Sequence, residues 1–418
     1  MIMEFSHKSI DKLGKRLAIN ENDDDLNLLQ EYRKTFDKPL QNVFSVISQI
    51  YRKDCIFAFR IKRLDSIIRK LRRFENNSGK KMVLSRMVDI AGCRCIVESK
   101  SKSDLKQKNI VKKINERLDV VDSRNYLDGK ASGYKAIHLY VKECEKQIEI
   151  QIRTKNQHNW ATLVEIIDLL FDKKTKEGEQ AGPLNEFEML FSKVGKLNDN
   201  EVLRLIEIER EYDLFKKMCD TFSSNYINVR KQWVAKSRRG YHYFVISAGK
   251  TNETIETSIE GFKDFESAEQ FYFEQFLENK LANMVLIYTE ERNFEKICMA
   301  YSNYMLATHG FFDKYKSLLE FVIIKAGKQK DKRFKDLLQL YKNRMNIYIE
   351  MLKTELDEAS KTWKDVSCSS CEKDDWLTDL GKRVNNLKSQ TAGFVQNIME
   401  VMPKQTIWEK LRDKLLHN

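Results

Sequence analysis

The sequence predicts an α+β fold: a mixed sheet flanked by helices, followed by a small α/β domain and a helical C-terminal region. Three observations predict it. The segment Ile148-Glu149-Ile-Gln151-Ile-Arg153-Thr154 alternates apolar and polar residues, the pattern of a strand with one buried face. Apolar residues at helical spacing dominate on both sides of residues 82–154. With 3 prolines and 15 glycines in 418 residues, the chain has few helix breakers.

Residues 1–38 are polar, carry the acidic spot Asp23-Asp24-Asp25, and are expected to begin with a loosely held helix. From Pro39 to about residue 75 helical periodicity dominates. Ile61, Leu64, Ile67, Ile68 and Leu71 share one face of an amphipathic helix from Arg60 to Lys70, whose other faces carry Arg60, Lys62, Arg63, Arg69, Lys70, Arg72 and Arg73. Residues 82–154 mix short strands, one running from Met87 to Val97 through Asp89 and Arg94, with a helix near 104–118. The glycine-loosened loop Lys130-Ala-Ser-Gly133-Tyr134-Lys135-Ala-Ile-His138 leads towards the alternating strand. Trp160 to Asp168 reads as the helix that follows it, with Trp160 as a core anchor and Gln157 and His158 either reaching a ligand or capping the helix start. Residues 155–233 turn helical, interrupted near Gly178 to Pro183.

A second α/β pattern follows: strands at Tyr241–Ser247 and Glu253–Ile259 around a turn at Gly249–Asn252, a helix from Phe265 to Leu277, and a third strand at Asn283–Thr289. The remainder is helical in pattern, of a length that suits a bundle, a homo-oligomer surface or a partner-docking arm. The expected divisions are 1–38, 39–175, 176–235, 236–306 and 307–418.

A net charge of +12 favours an anionic partner, and because lysines extend well beyond the basic helix, as in Lys328-Gln-Lys330-Asp-Lys332-Arg333, RNA or a tRNA acceptor end stands as a second partner beside nucleotides. No apolar run approaches the 18 or more residues of a membrane span, and no signal-peptide pattern opens the chain, so a cytoplasmic protein without a membrane partner is expected. The eight cysteines are scattered like cytosolic thiols. Cys368-Ser-Ser-Cys371 is half of a zinc-site spacing, and with no second Cys/His pair after it zinc is not expected.

The chemistry concentrates in a few residues. Asp89 and Glu149, on separate strands, are two acids that can share one divalent cation, which points to phosphoryl transfer. Mg²⁺ suits such a pair because it takes one or two carboxylates plus substrate phosphates. Glu149, Gln151 and Arg153 are expected on one open strand face beside Lys130, Tyr134 and His138, a set that suits a nucleotide and its polyphosphate. Tyr134 alone reads equally as a core tyrosine, and His138, between Ile137 and Leu139, as a buried structural histidine.

Five blocks, in order, resemble the synthetase domain of the RelA/SpoT family. They are Arg60-Ile-Lys62 to Lys70, Asp89-x-x-Gly92-x-Arg94, the Lys130-to-His138 loop, the Glu149-to-Thr154 strand, and Gln157-His-Asn-Trp160 to Glu165. The resemblance covers residues 40–175 and implies a nucleotidyltransferase-like core that moves pyrophosphate from ATP to the 3′-hydroxyl of GDP or GTP. It implies that Arg60, Lys62 and Lys70 hold ATP, that Asp89 and Glu149 bind Mg²⁺ with Glu149 activating the hydroxyl, and that Arg94 faces the charge developing in transfer. It implies that Tyr134 stacks on the acceptor guanine, with Lys130 and His138 near the acceptor phosphates and Gln151 and Arg153 on the same side. Lys135 and Ser132 stand where the family more often has arginine and asparagine, which leaves the acceptor open. Two alternatives stand beside this reading: a toxic relative that pyrophosphorylates the tRNA 3′-CCA end, and a catalytically silent nucleotide-sensing module. No His-Asp pair occurs in the chain, so the hydrolase of the bifunctional members is not expected, nor is ribosome-linked control.

Overall fold

The computed structural model describes residues 5–50, 55–77, 83–97, 103–128, 133–171, 182–237, 240–251, 254–278, 283–288, 309–365 and 371–401. The chain divides into two compact units, Met1–Lys193 with Ser224–Thr308, and Val194–Ser223 with His309–Asn418.

The first unit opens with helices α1 (His7–Ile19), α2 (Asp23–Lys34) and α3 (Asp37–Ser48). Ser6 caps α1 by accepting from the Ser9 N–H, and Asn22 caps α2 by accepting from the Asp25 N–H. The acidic spot Asp23-Asp24-Asp25 is the first turn of α2, where the helix dipole favours negative charge. These helices are not loosely held: Leu13, Leu17, Leu26 and Leu29 are all buried in the main core.

Strand β1 (Cys55–Ile61) leads through Lys62 and Arg63 into α4 (Leu64–Asn77). The basic helix therefore begins at Leu64, and Arg60 sits at the end of a strand. The run Cys55-Ile-Phe-Ala-Phe59 is continuously apolar because β1 is central, paired on both sides, and so gives no alternation to separate it from the helix that follows.

After a short 3₁₀ turn (Leu84–Arg86) come β2 (Ala91–Val97), α5 (Ser103–Asn115), β3 (Val120–Asn125), β4 (Ile137–Glu143), β5 (Lys146–Thr154) and α6 (Lys155–Leu170). Asp89 lies in the turn before β2, not on the strand. β4 and β5 are joined through Cys144 and Glu145, both with φ positive, at 45° and 59°. Side chains at such positions are strained, and Asn-Gly is the preferred pair for this two-residue hairpin turn. Cys144→Asn with Glu145→Gly is expected to stabilise the protein by about 1 kcal/mol, read as a higher urea midpoint at unchanged slope.

Helices α7 (Pro183–Ser192), α8 (Asp199–Tyr212) and α9 (Leu214–Ser237) precede β6 (Tyr243–Thr251), β7 (Thr254–Phe262), α10 (Phe265–Glu278) and β8 (Asn283–Tyr288). The strands described between residues 236 and 306 do not form a sheet of their own. One eight-stranded sheet runs β3-β4-β5-β2-β1-β8-β6-β7. β8 joins antiparallel to β1, with Phe59 opposite Tyr288 and Ile61 opposite Leu286, and β2 and β5 form its parallel pair. A strand cannot bury both edges alone, and β1 finds its second neighbour more than 200 residues downstream. Helices α1–α4 and α10 share one apolar core with this sheet, including Phe44, Phe59, Ile150, Tyr272 and Leu286. The expected connector 176–235 is divided too: α7 belongs to this unit, whereas α8 and the start of α9 belong to the other.

Asp37, at the start of α3, is half-buried at the edge of this core. Burial, above all, pushes its carboxyl up to about 6, against the hydrogen bond from Gln41. The folded state thus holds the proton more tightly than the unfolded chain. The resulting stability is complete below the ordinary carboxylate value and is lost as pH rises through about 6. Asp37→Asn is expected to be more stable than the parent at pH 8, by roughly 1–2 kcal/mol once solvent screening of this partly exposed group is allowed for, with the gap closing towards pH 4.5 in parallel thermal melts.

The second unit consists of α8, the start of α9, and the helices α11 (His309–Lys328), α12 (Phe334–Asp365) and α13 (Cys371–Val401), with α12 packed on α11 and α13. Phe215, Phe312 and Tyr348 meet in its core. There the fully buried Glu209 accepts from Tyr315 (2.7 Å) and pairs with Arg344 (2.9 Å), as a buried charge must. The helical C-terminal region is as the sequence predicts; Cys368, of the half zinc motif, lies outside the described residues.

Candidate active site

The sheet register puts the polar residues in rows. Arg60 is opposite Gly92, Gly92 opposite Glu149, and Glu149 opposite Tyr140. In the next row Arg94 is opposite Gln151, Gln151 opposite His138, and His138 opposite Arg124. Paired residues point to the same face, so chain segments far apart in sequence meet on one side of the sheet while Ile148, Ile150 and Ile152 fill the other. The row is close-set: a side chain on Gly92 would come within 3.0 Å of the Glu149 carbonyl oxygen.

Arg60, Lys62, Asp89, Arg94, Glu149 and Gln151 line one cleft. Lys62 Nζ and Lys70 Nζ donate to the two carboxylate oxygens of Asp89, at 2.6 and 2.7 Å. Burial alone would raise the Asp89 carboxyl, but the two ammonium groups outweigh it and hold it at about 2. Burial, against the attraction of Asp89, lowers the Lys62 ammonium.

Glu149 is buried, contrary to the open face expected of it, among His138, Tyr140 and Gln151. Its Oε1 lies 2.9 Å from His138 Nδ1 and accepts from the Tyr140 hydroxyl at 3.3 Å, and its Oε2 accepts from Gln151 Nε2 at 2.8 Å. These donors overcome the upward push of burial and keep the carboxyl below its ordinary value. Burial and then the Glu149 charge push the Tyr140 hydroxyl up, so it remains a donor. Arg153 Nη2 donates to Gln151 Oε1 (3.1 Å) and to the Tyr134 hydroxyl (2.9 Å), and that hydroxyl lies 2.6 Å from His138 Nε2. His138 thus bridges Tyr134 and Glu149. It is buried, and it belongs to the same hydrogen-bond network as Glu149.

Tyr134 is half-buried, edge-on to Tyr126, His138 and Trp160, with the Arg153 guanidinium 5.2 Å from its ring centre. Gly133 before it has φ +87°, and a side chain there would meet Ser192 of α7 at 2.7 Å, which is why glycine occupies the position. Gln157 closes a capping box with Thr154, so its role is to start α6, and Trp160 is buried with its indole N–H donated to the Glu188 carbonyl (2.8 Å). Lys130 lies outside the described residues.

The sequence reading missed Tyr140 and Arg124. Tyr140 follows His138 at the strand period, which places both on one face, and Arg124 sits across the ladder from His138 with its guanidinium 4.9 Å over the Tyr140 ring. Alternation along β4 was a usable signal; the pairing of β3 was not.

Residues 59–168 match the family described as the region found in RelA / SpoT proteins. This segment is a RelA/SpoT domain. Among solved structures, the chain is similar to the small alarmone synthetase 1 from Bacillus subtilis bound to its product pppGpp, at 24% identity over 43% of this chain and 92% of that one, TM-score 0.29. It is similar to smu.1046c from Streptococcus mutans UA159, at 24% over 43% and 97%, TM-score 0.30. A further structure of the Bacillus subtilis small alarmone synthetase 1 aligns at 22% over 43% and 93%, TM-score 0.29. No curated protein matches the chain. The RelA/SpoT domain runs from Phe59 in β1 to Asp168 in α6 and contains every cleft residue named above. The strands β6–β8 and helices α1–α3 and α10, which complete its sheet and core, lie outside it. No helix among the described residues is long and apolar enough to cross a membrane.

Proposed function

We propose that the protein is a Mg²⁺-dependent pyrophosphokinase that transfers pyrophosphate from ATP to the 3′-hydroxyl of a guanosine nucleotide. The observation that carries this reading is the cleft itself. Asp89 and Glu149, both held in the charged form, share it with Arg60, Lys62 and Arg94, and Lys70 reaches it through Asp89. The RelA/SpoT match supports transfer of the synthetase type.

The donor set fits a divalent cation. Among the described residues no group of three or more His, Cys, Asp or Glu side chains is arranged to hold a metal alone. Mg²⁺ needs only one or two carboxylates when phosphate and water complete its shell, and Asp89 and Glu149 would hold it. When bound, it would neutralise charge on the transferring phosphates.

The chain's own residues do the rest. Arg60, Lys62 and Lys70 bind and orient the ATP polyphosphate, and Arg94 stabilises the charge that builds on the transferred group. The 3′-oxygen attacks the β-phosphorus, the bond from that phosphorus to the oxygen bridging it to the α-phosphorus breaks, and AMP leaves. The hydroxyl proton passes to Glu149, whose carboxylate is fixed by His138, Tyr140 and Gln151. Tyr134, His138, Gln151 and Arg153 form the acceptor wall, with Tyr134 presenting its ring to the base.

The test is incubation of the purified protein with γ-³²P-ATP and Mg²⁺, with GDP, GTP, ADP or bulk tRNA in separate tubes. Label in a guanosine nucleotide is the expected result. Label on tRNA alone would replace the acceptor with the tRNA 3′ end, and binding without transfer would leave a nucleotide-sensing module.

A further inference from the structure

A buried ion pair stands directly behind Lys62. Arg33 on α2 and Glu269 on α10 are fully buried, with Arg33 Nη1 3.3 Å from Glu269 Oε1. Such a pair is costly to desolvate and weak as a source of stability. Its contacts indicate a different purpose. Arg33 Nε donates to the Lys62 carbonyl at 3.0 Å, its Nη1 donates to Gln30, and its guanidinium lies 4.7 Å over the Tyr272 ring. The Tyr272 hydroxyl in turn accepts from the Leu64 N–H at 3.3 Å.

Lys62 and Arg63 form the joint between β1 and α4, outside both the strand and the helix. On its cleft side the joint is held by the Lys62 N–H, which donates to the carbonyl of Ile90, the neighbour of Asp89, at 2.7 Å. On the other side Arg33 and Tyr272 hold it. Lys62 is therefore fixed between the Asp89 turn and two helices, α2 and α10, that lie outside the RelA/SpoT domain.

We propose that Arg33, Glu269 and Tyr272 are positioning residues that set the Lys62 ammonium for the donor polyphosphate, so that helices outside the RelA/SpoT domain determine donor affinity. This rests on the reading of Lys62 as a donor-phosphate residue. Glu269 balances and orients the Arg33 guanidinium, Arg33 fixes the carbonyl of Lys62, and Tyr272 fixes the first N–H of α4. The acceptor wall stands on other elements, β4, β5 and the loop before β4.

The test uses the full chain in three forms: Arg33→Met combined with Glu269→Leu, which removes both charges while keeping the core apolar; Tyr272→Phe, which removes one oxygen; and Lys62→Ala as reference. Affinities for α,β-methylene-ATP with Mg²⁺, and separately for GDP, are measured by calorimetry, and amide exchange is followed at Leu64. The double variant is expected to bind the ATP analogue about 10-fold or more weaker, because small displacements of a charged group are costly, with GDP affinity unchanged. In Tyr272→Phe the Leu64 amide is expected to exchange faster and analogue affinity to fall in the same direction. Unchanged analogue affinity in a folded double variant, alongside weak binding by Lys62→Ala, would overturn the proposal and leave the donor site standing. Unchanged affinity in Lys62→Ala would remove the donor-site reading, and the proposal with it. Should the double variant not fold, Tyr272→Phe decides by the same two readouts.

Discussion

Asp89→Asn and Glu149→Gln will each lower pyrophosphate transfer by at least about 10³-fold, the scale of removing one electrostatic contact made to the transferring group. The two losses will differ in kind. Asp89→Asn keeps the size of the side chain but leaves Lys62 and Lys70 facing each other without the charge that both now contact. Phosphate binding can persist there while one of the two carboxylates of the proposed Mg²⁺ site is lost. At Glu149 the neutral amide meets a directed chain of hydrogen bonds. Gln151 donates its amide to Glu149 and accepts from Arg153 with its oxygen, and Arg153 also donates to Tyr134. A glutamine in place of Glu149 can keep its oxygen towards Gln151 only by turning its N–H₂ towards His138 Nδ1 and the Tyr140 hydroxyl, which then have to accept where they now donate. The bond network must rearrange, so Glu149→Gln should also lose about 1–3 kcal/mol of stability. Activity assays with melting curves on both variants check this. Ordinary turnover in either folded variant would refute the site assignment.

A chain ending at residue 235 will not fold. The cut removes β6–β8 and α10, and with them β8, the strand that pairs with β1 beside Arg60. Phe59 loses the Tyr288 ring stacked on it at 5.0 Å, and the core loses Tyr272, Phe276, Met284 and Leu286. Each such buried side chain is worth roughly 1.5–3 kcal/mol, so the loss from these four alone is comparable to the whole stability of a typical domain, about 5–15 kcal/mol. The expected outcome is insoluble expression or a non-cooperative melt. A soluble fragment with a cooperative transition would show that the RelA/SpoT domain closes its sheet without its downstream strands. Because the cut destroys the sheet, it cannot report on whether the C-terminal helices restrain the site.

The chemistry was legible because it lies in short runs. Asp89-x-x-Gly92-x-Arg94 and the strand from Glu149 to Arg153 each keep their candidate residues within six positions, and local spacing singles them out. Their assembly was less legible. Arg60 read as helical because the central strand β1 is apolar on both faces and its end merges with the apolar stripe of α4. Tyr140 and Arg124 went unremarked because what brings them to Glu149 is a ladder, not a motif.

By itself the sequence determined the class of fold, the basic helix, the paired acids and the helical C-terminal region, since each depends on periodicity or spacing within a few turns of chain. Only the tertiary structure decided that the second α/β segment extends the first sheet. β1 needs a partner on each edge, and one of those partners is encoded far downstream. The same holds behind the cleft. Arg33, Glu269 and Tyr272 carry no sequence signal of function, because their role exists only where α2, the Lys62 joint and α10 are folded together.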